Sequence, residues 1–239
     1  MFVPWLTDPR TPVTLLCFHC AGGSAQSFFA WKAAARGLCD LLAVELPGRS
    51  RRYQEAFASS IPELAAEIAR ASIGLTEKPL IFFGHSLGAL LAYETVRALL
   101  RLGGPTPSRL ILSSRQSCDW RPVHSGLPEL HDVALQQYLQ DMAGTPRQVL
   151  ENPALVAMAL PPLRADLELL YNYRYTPALP LPIPISVLGG IDDAHVPFES
   201  LLAWSRATER AFELEMIDGG HFAVMEQPGR VLHSLSTCI

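Results

Sequence analysis

The chain has 239 residues, 49% of them apolar and 18% charged, and its 19 Lys plus Arg against 23 Asp plus Glu give a formal charge of −4. A chain of this size buries roughly 70% of its extended surface, enough for one large core, and this much apolar content at so low a net charge excludes intrinsic disorder. An acidic balance offers no broad field for phosphates and argues against a general nucleic-acid binder.

The N-terminus carries no visible address, because Pro4, Asp8, Pro9 and Pro12 interrupt any apolar stretch there. Runs rich in β-formers follow at Val13–Phe18, Leu41–Leu46, Leu80–Phe83, Leu110–Ser113, Ile185–Leu188 and Phe212–Ile217. Most are continuous rather than alternating, the pattern of parallel strands covered on both faces. Between them the pattern turns helical. Ser60-Ile-Pro-Glu63 is a capping box that opens a helix to Ser72. Ser86–Leu102 is apolar almost all round, as a buried central helix would be, and Gly103-Gly104-Pro105 stops it. Strands separated by helices predict right-handed βαβ units and a doubly wound, mostly parallel sheet with helices on both faces.

One stretch breaks the rhythm. Residues 118–176 hold no convincing strand, only helical pieces separated by prolines, with Leu163, Leu167 and Leu170 on one face of Pro162–Tyr173. They are expected to form a helical lid inserted between two core segments, 1–117 and 177–239. The longest apolar stretch, Leu80–Tyr93, is too short and too interrupted to span a membrane. Five cysteines (Cys17, Cys20, Cys39, Cys118, Cys238) without CxxC spacing suggest reduced thiols rather than disulfides or zinc. A cytoplasmic, soluble monomer without metal or dissociable cofactor is the expectation.

The chemistry-bearing signal is Gly84-His85-Ser86-Leu87-Gly88, placed between a strand and a long helix. A nucleophile elbow needs glycines at both flanks because the turn is sharp and the neighbouring backbones close in. Ser86 is therefore the expected nucleophile. Serine needs a base and an orienting acid. The base candidate is His221 in Asp218-Gly-Gly-His221, after the last strand; the acid candidates are Asp192 and Asp193, after the preceding one. Asp193 is preferred because it sits in a G-x-x-D-x-x-x-P frame from Gly190 to Pro197. The order Ser, Asp, His is that of the α/β-hydrolase fold. The amide of Leu87 and one from the Gly-rich loop after the first strand, best Ala21, are the expected oxyanion donors. A cysteine nucleophile at Cys20 beside His19 is the weaker rival, and His85 reads as a packing or supporting residue.

These motifs together resemble the type II thioesterases, the stand-alone α/β-hydrolases of nonribosomal peptide and polyketide assembly lines. The resemblance rests on Ala21-Gly-Gly-Ser24, Leu46-Pro-Gly-Arg49, Phe83–Glu94, Leu160-Pro-Pro-Leu-Arg-Ala-Asp166 with Tyr171 and Tyr173, the Asp193 loop through Trp204, and Gly219-Gly-His221. It implies hydrolysis of acyl thioesters on the phosphopantetheine arm of carrier proteins, with Ser86, Asp193 and His221 as triad, Ala21 and Leu87 as oxyanion donors and the insertion as lid. A medium-chain acyl-carrier thioesterase and a small-ester carboxylesterase are the alternatives. Two departures stand near the site: His19-Cys20 where the family carries proline and His or Tyr, and Ser114-Arg115 where it carries Ser-Gly. The densest basic cluster, Arg49, Arg51 and Arg52, is the candidate docking patch for an acidic carrier protein.

Overall fold

The computed structural model describes residues 1–75, 77–120, 129–142 and 144–235. Cys238, and residues 121–128 and 143 of the expected insertion, lie outside them. Seven strands, β1 (Phe2–Leu6), β2 (Thr14–Phe18), β3 (Asp40–Val44), β4 (Leu80–His85), β5 (Arg109–Ser113), β6 (Ile185–Gly190) and β7 (Phe212–Ile217), form one sheet in the order β1-β3-β2-β4-β5-β6-β7. Every pairing is parallel except β1 with β3. Strands β2 to β6 are buried along their whole length, which is why their sequences read as mostly apolar runs.

The edge strand β1 was not expected from sequence. Pro4 argues against a strand interior, yet the register between β1 and β3 shifts between Pro4 and Leu6, and an edge tolerates a residue that cannot donate. The helices are α1 (Lys32–Ala35), α2 (Ile61–Ser72), α3 (Leu87–Leu102), α4 (Asp132–Asp141), α5 (Arg147–Leu150), α6 (Pro153–Asn172), α7 (Phe198–Leu202), α8 (Ala223–Glu226) and α9 (Pro228–His233). The side chain of Ser60 accepts from the amide of Glu63 at the start of α2, as the capping motif predicts. Among the described residues no helix is long and apolar enough to cross a membrane.

Helix α6 is longer than the sequence indicates, starting nine residues before the expected Pro162. Pro161 and Pro162 lie inside it, where each removes a backbone donor. The apolar spacing overrides that cost: Val156, Leu160, Leu163, Leu167 and Leu170 all bury on one face into the same core cluster as β2, β4 and α3. Asn152 caps the true start, its side-chain oxygen accepting from the amides of Ala154 and Leu155. At the far end, Tyr173 donates to Glu94 of α3 at 2.7 Å and Arg97 bridges Glu94 to the carbonyl of Thr176. The C-terminal half of α6 is thus anchored to the body of the sheet, while α4 and α5 sit further out.

Candidate active site

Ser86 stands where β4 ends and α3 begins, with φ 56° and ψ −116°. A non-glycine residue pays for such a backbone, and the fold holds it there from both sides. A Cβ on Gly84 would lie 2.2 Å from the carbonyl oxygen of Gly88, and one on Gly88 would lie 2.1 Å from that of Phe18. Only glycine lets the turn close this tightly. The amide of Ser86 is tied to the carbonyl of Ser113 at 2.9 Å.

The loops after β6 and β7 bring Asp193 and His221 together. Nδ1 of His221 donates to Oδ2 of Asp193 at 2.8 Å, and both side chains are almost wholly buried. The other carboxylate oxygen of Asp193 accepts from the amide of His195. Asp192 is exposed instead, its amide bonded to the carbonyl of Gly219. Ser114, itself at φ 49°, donates its hydroxyl to the His221 carbonyl at 2.8 Å and so fixes the histidine backbone. With Nδ1–H committed to Asp193, the free lone pair of the imidazole is on Nε2. That atom is buried and has no hydrogen-bond partner among the described residues. Ser86 and His221 line one cavity of about 640 Å³, walled further by Trp31, Met142, Leu163 and Phe222. The walls are mostly apolar, a lining suited to an acyl chain.

His85 and His19 are both buried and play other parts. His85 bonds Ser113 Oγ through Nδ1 at 2.7 Å, and burial beside His221 holds its imidazole well below the usual histidine range, hence neutral. His19 donates Nδ1–H to the carbonyl of Cys20, and burial lowers its pKa to about 4. Cys20 lines the cavity, but burial and the nearby Asp166 carboxylate push its thiol up to about 12. A thiol held that firmly protonated is a poor nucleophile, which weighs against the cysteine alternative.

The two proposed oxyanion amides have no competing hydrogen bond among the described residues. Leu87 is the first residue of α3, where a backbone N–H has no carbonyl of its own helix to meet. In the loop after β2, the Gly22 amide donates to Asp166 and the Gly23 amide to the Cys20 carbonyl, whereas the Ala21 amide is left without a bond to any described residue.

The docking patch is corrected. Arg49 is only 7% exposed and forms a bidentate pair with the equally buried Asp166, at 2.6 and 2.7 Å. Arg52 is committed to Glu55, Glu67 and the Glu45 carbonyl. Of the three arginines, Arg51 is the one exposed to solvent. Sequence reasoning placed Arg49 on the surface because a basic run is usually a solvated face, and it left the role of Asp166 unassigned. Arg115, the second family departure, accepts at its carbonyl from Trp204 Nε1, and its own Nε is buried without a partner among the described residues. Among the described residues no group of three or more His, Cys, Asp or Glu is placed to hold a metal ion.

Residues 13–238 match the family model described as thioesterase domain. The chain is 33% identical to the type II thioesterase BorB from the borrelidin biosynthetic cluster, superposing with a TM-score of 0.89 over 99% of this chain and 96% of that one. YbtT, a type II thioesterase from the yersiniabactin NRPS/PKS pathway, superposes with a TM-score of 0.86 at 28% identity over 100% and 99%. A Brevibacillus parabrevis protein named linear gramicidin dehydrogenase LgrE is 30% identical, covering 95% of this chain and 89% of its own. The chain belongs to the thioesterase domain family and is a thioester hydrolase of the α/β-hydrolase fold.

Proposed function

We propose that this protein removes acyl groups, aberrant or stalled ones included, from the phosphopantetheine arm of carrier proteins in nonribosomal peptide or polyketide biosynthesis. The observation that carries this is one apolar cavity lined by a strained serine and by a histidine whose Nε2 is free and whose Nδ1–H is held by a buried carboxylate.

The chemistry follows from that arrangement. Ser86 Oγ attacks the thioester carbonyl as His221 Nε2 takes its proton, and Asp193 stabilises the imidazolium that forms. The tetrahedral oxyanion is met by the amides of Leu87 and Ala21, each worth about 3 kcal/mol of transition-state stabilisation. The intermediate collapses by breaking the carbon–sulfur bond, and the proton on His221 goes to the leaving sulfur. Water then enters, gives a proton to the same Nε2 and attacks the acyl-serine ester. Breakdown releases the carboxylic acid and restores Ser86–OH. No step calls on a metal or a redox cofactor. The dehydrogenase name borne by LgrE finds no counterpart in this sequence, where no G-x-G-x-x-G opens a helix.

Carrier proteins are the proposed partners, and Arg51, the exposed member of the three arginines, is the proposed docking cation for an acidic one. Incubating the protein with an acyl-loaded carrier and mapping the acylated peptide by mass spectrometry tests the proposal. Transient acyl mass on the peptide containing Ser86, absent from Ser86→Ala, is the expected result; acylation of Cys20 or of no residue refutes it.

A further inference from the structure

The Arg49–Asp166 pair joins two sequence segments that the triad does not use. Arg49 lies just after β3 and Asp166 on α6, 117 residues apart, and both are buried. Between them passes the loop that follows β2. Asp166 Oδ2 accepts from the Gly22 amide at 2.8 Å while also holding Arg49 Nη1 at 2.6 Å. The same Nη1 donates to the Gly23 carbonyl at 3.1 Å. The pair therefore grips this loop by one donor and one acceptor on consecutive residues. Gly22 has φ 71°, and a Cβ there would sit 3.2 Å from Leu163 Cβ, so α6 closes on the loop from outside as well. Ala21, directly before the gripped residues, has the one amide from Ala21 to Gly23 without a bond to any described residue.

We propose that Arg49 and Asp166 are positioning residues for the oxyanion loop, aiming the Ala21 amide at the reacting carbonyl, and that α6 is thereby part of the catalytic apparatus rather than a free cover. This rests on the reading of Ser86 as nucleophile and Ala21 as oxyanion donor. A buried ion pair alone is weak evidence of a function, because such pairs often contribute little net stability. What distinguishes this one is that its spare hydrogen-bonding capacity is spent on two backbone groups of the loop. Helix α6 also supplies Ala159 and Leu163 to the cavity wall. The helix that lines the cavity is thus the helix that holds the oxyanion loop.

The test uses Asp166→Asn, Arg49→Lys and, as a remote core control, Ile68→Val on α2. Each is measured for melting temperature, for kcat and KM on a p-nitrophenyl ester, and for inhibition by an alkyl trifluoromethyl ketone, which forms a tetrahedral adduct with the serine. Asp166→Asn is expected to lower kcat about 10²-fold, the scale of one lost oxyanion donor. KM should stay within threefold, ketone affinity should fall in parallel with kcat, and the acid limb of the pH–rate profile should not move. Arg49→Lys keeps the charge but not the fork, and should show the same pattern more weakly. Ile68→Val should lower the melting temperature and leave kcat unchanged. The proposal is overturned if folded Asp166→Asn or Arg49→Lys retains full kcat, or loses kcat without losing ketone affinity. Should Asp166→Asn not fold, Arg49→Lys alone decides between these outcomes. Ser86→Ala is the separate control: its full activity would sink the nucleophile assignment itself, whatever the pair does.

Discussion

Nδ1 of His221 and Oδ2 of Asp193 lie 2.8 Å apart, 28 residues apart in sequence, at the carboxyl ends of adjacent strands. The bond decides which imidazole nitrogen carries the proton, leaving Nε2 as the proposed base. Replacing the carboxylate by an amide keeps the shape but permits the wrong tautomer. Asp193→Asn is therefore expected to lower kcat by about 10³–10⁴-fold, while Asp192→Asn, at an exposed position, stays within twofold. Steady-state kinetics on one thioester checks both.

The elbow makes a prediction about folding rather than chemistry. A Cβ at Gly88 meets the Phe18 carbonyl at 2.1 Å, and backbone atoms cannot swing away as a side chain can. Gly88→Ala should cost about 3–5 kcal/mol or prevent folding. Gly103, with open space around it, is different. Gly103→Ala should cost only about 1 kcal/mol, for its positive φ of 63°. Denaturant titration of the two variants measures the difference.

Stability should fall with acid through His19. Its pKa is about 4 when folded against 6.5 unfolded, so the unfolded chain binds the proton more readily between those values. Stability is then fully present above about pH 6.5, declines as the pH falls to about 4, and is flat below. At 1.4 kcal/mol per pKa unit the loss is about 3 kcal/mol. His19→Asn, which keeps a donor for the Cys20 carbonyl, should flatten the curve by that amount relative to the unaltered chain. Urea unfolding at several pH values between 7 and 4 reads it directly. His85 contributes equally to both proteins and cancels in the comparison.

Arg51 offers the test of docking. Arg51→Glu should raise KM for an acyl-carrier substrate several-fold at low salt, with the difference shrinking as salt is added. The same variant should hydrolyse a p-nitrophenyl ester normally. Equal effects on both substrates would argue that Arg51 acts on the fold and not on the partner.

Most of the sheet was legible because a strand buried on both faces is mostly apolar, and the runs in β2 to β6 are, with polar residues such as Thr14, Asp40, His85, Arg109, Ser113 and Ser186 chiefly at their ends. The glycine spacing around Ser86 was equally readable, since steric closeness leaves no other residue. Edge strand β1 was hidden by Pro4, whose missing donor matters only in the interior of a sheet. The true start of α6 was hidden by Pro161 and Pro162, which look like a helix beginning when taken locally. Their cost is offset by tertiary burial that no local pattern displays. Arg49 was misplaced for a related reason: its partner Asp166 is 117 residues away, and only the fold brings a surface-like residue to a buried carboxylate.

The most direct test of the account presents one acyl group on three carriers, a holo carrier protein, coenzyme A and p-nitrophenol, under identical conditions. The highest kcat/KM is expected for the carrier-bound thioester, with a lower value for the coenzyme A thioester and loss of turnover of all three in Ser86→Ala. An ester turned over far faster than the carrier-bound thioester would contradict it.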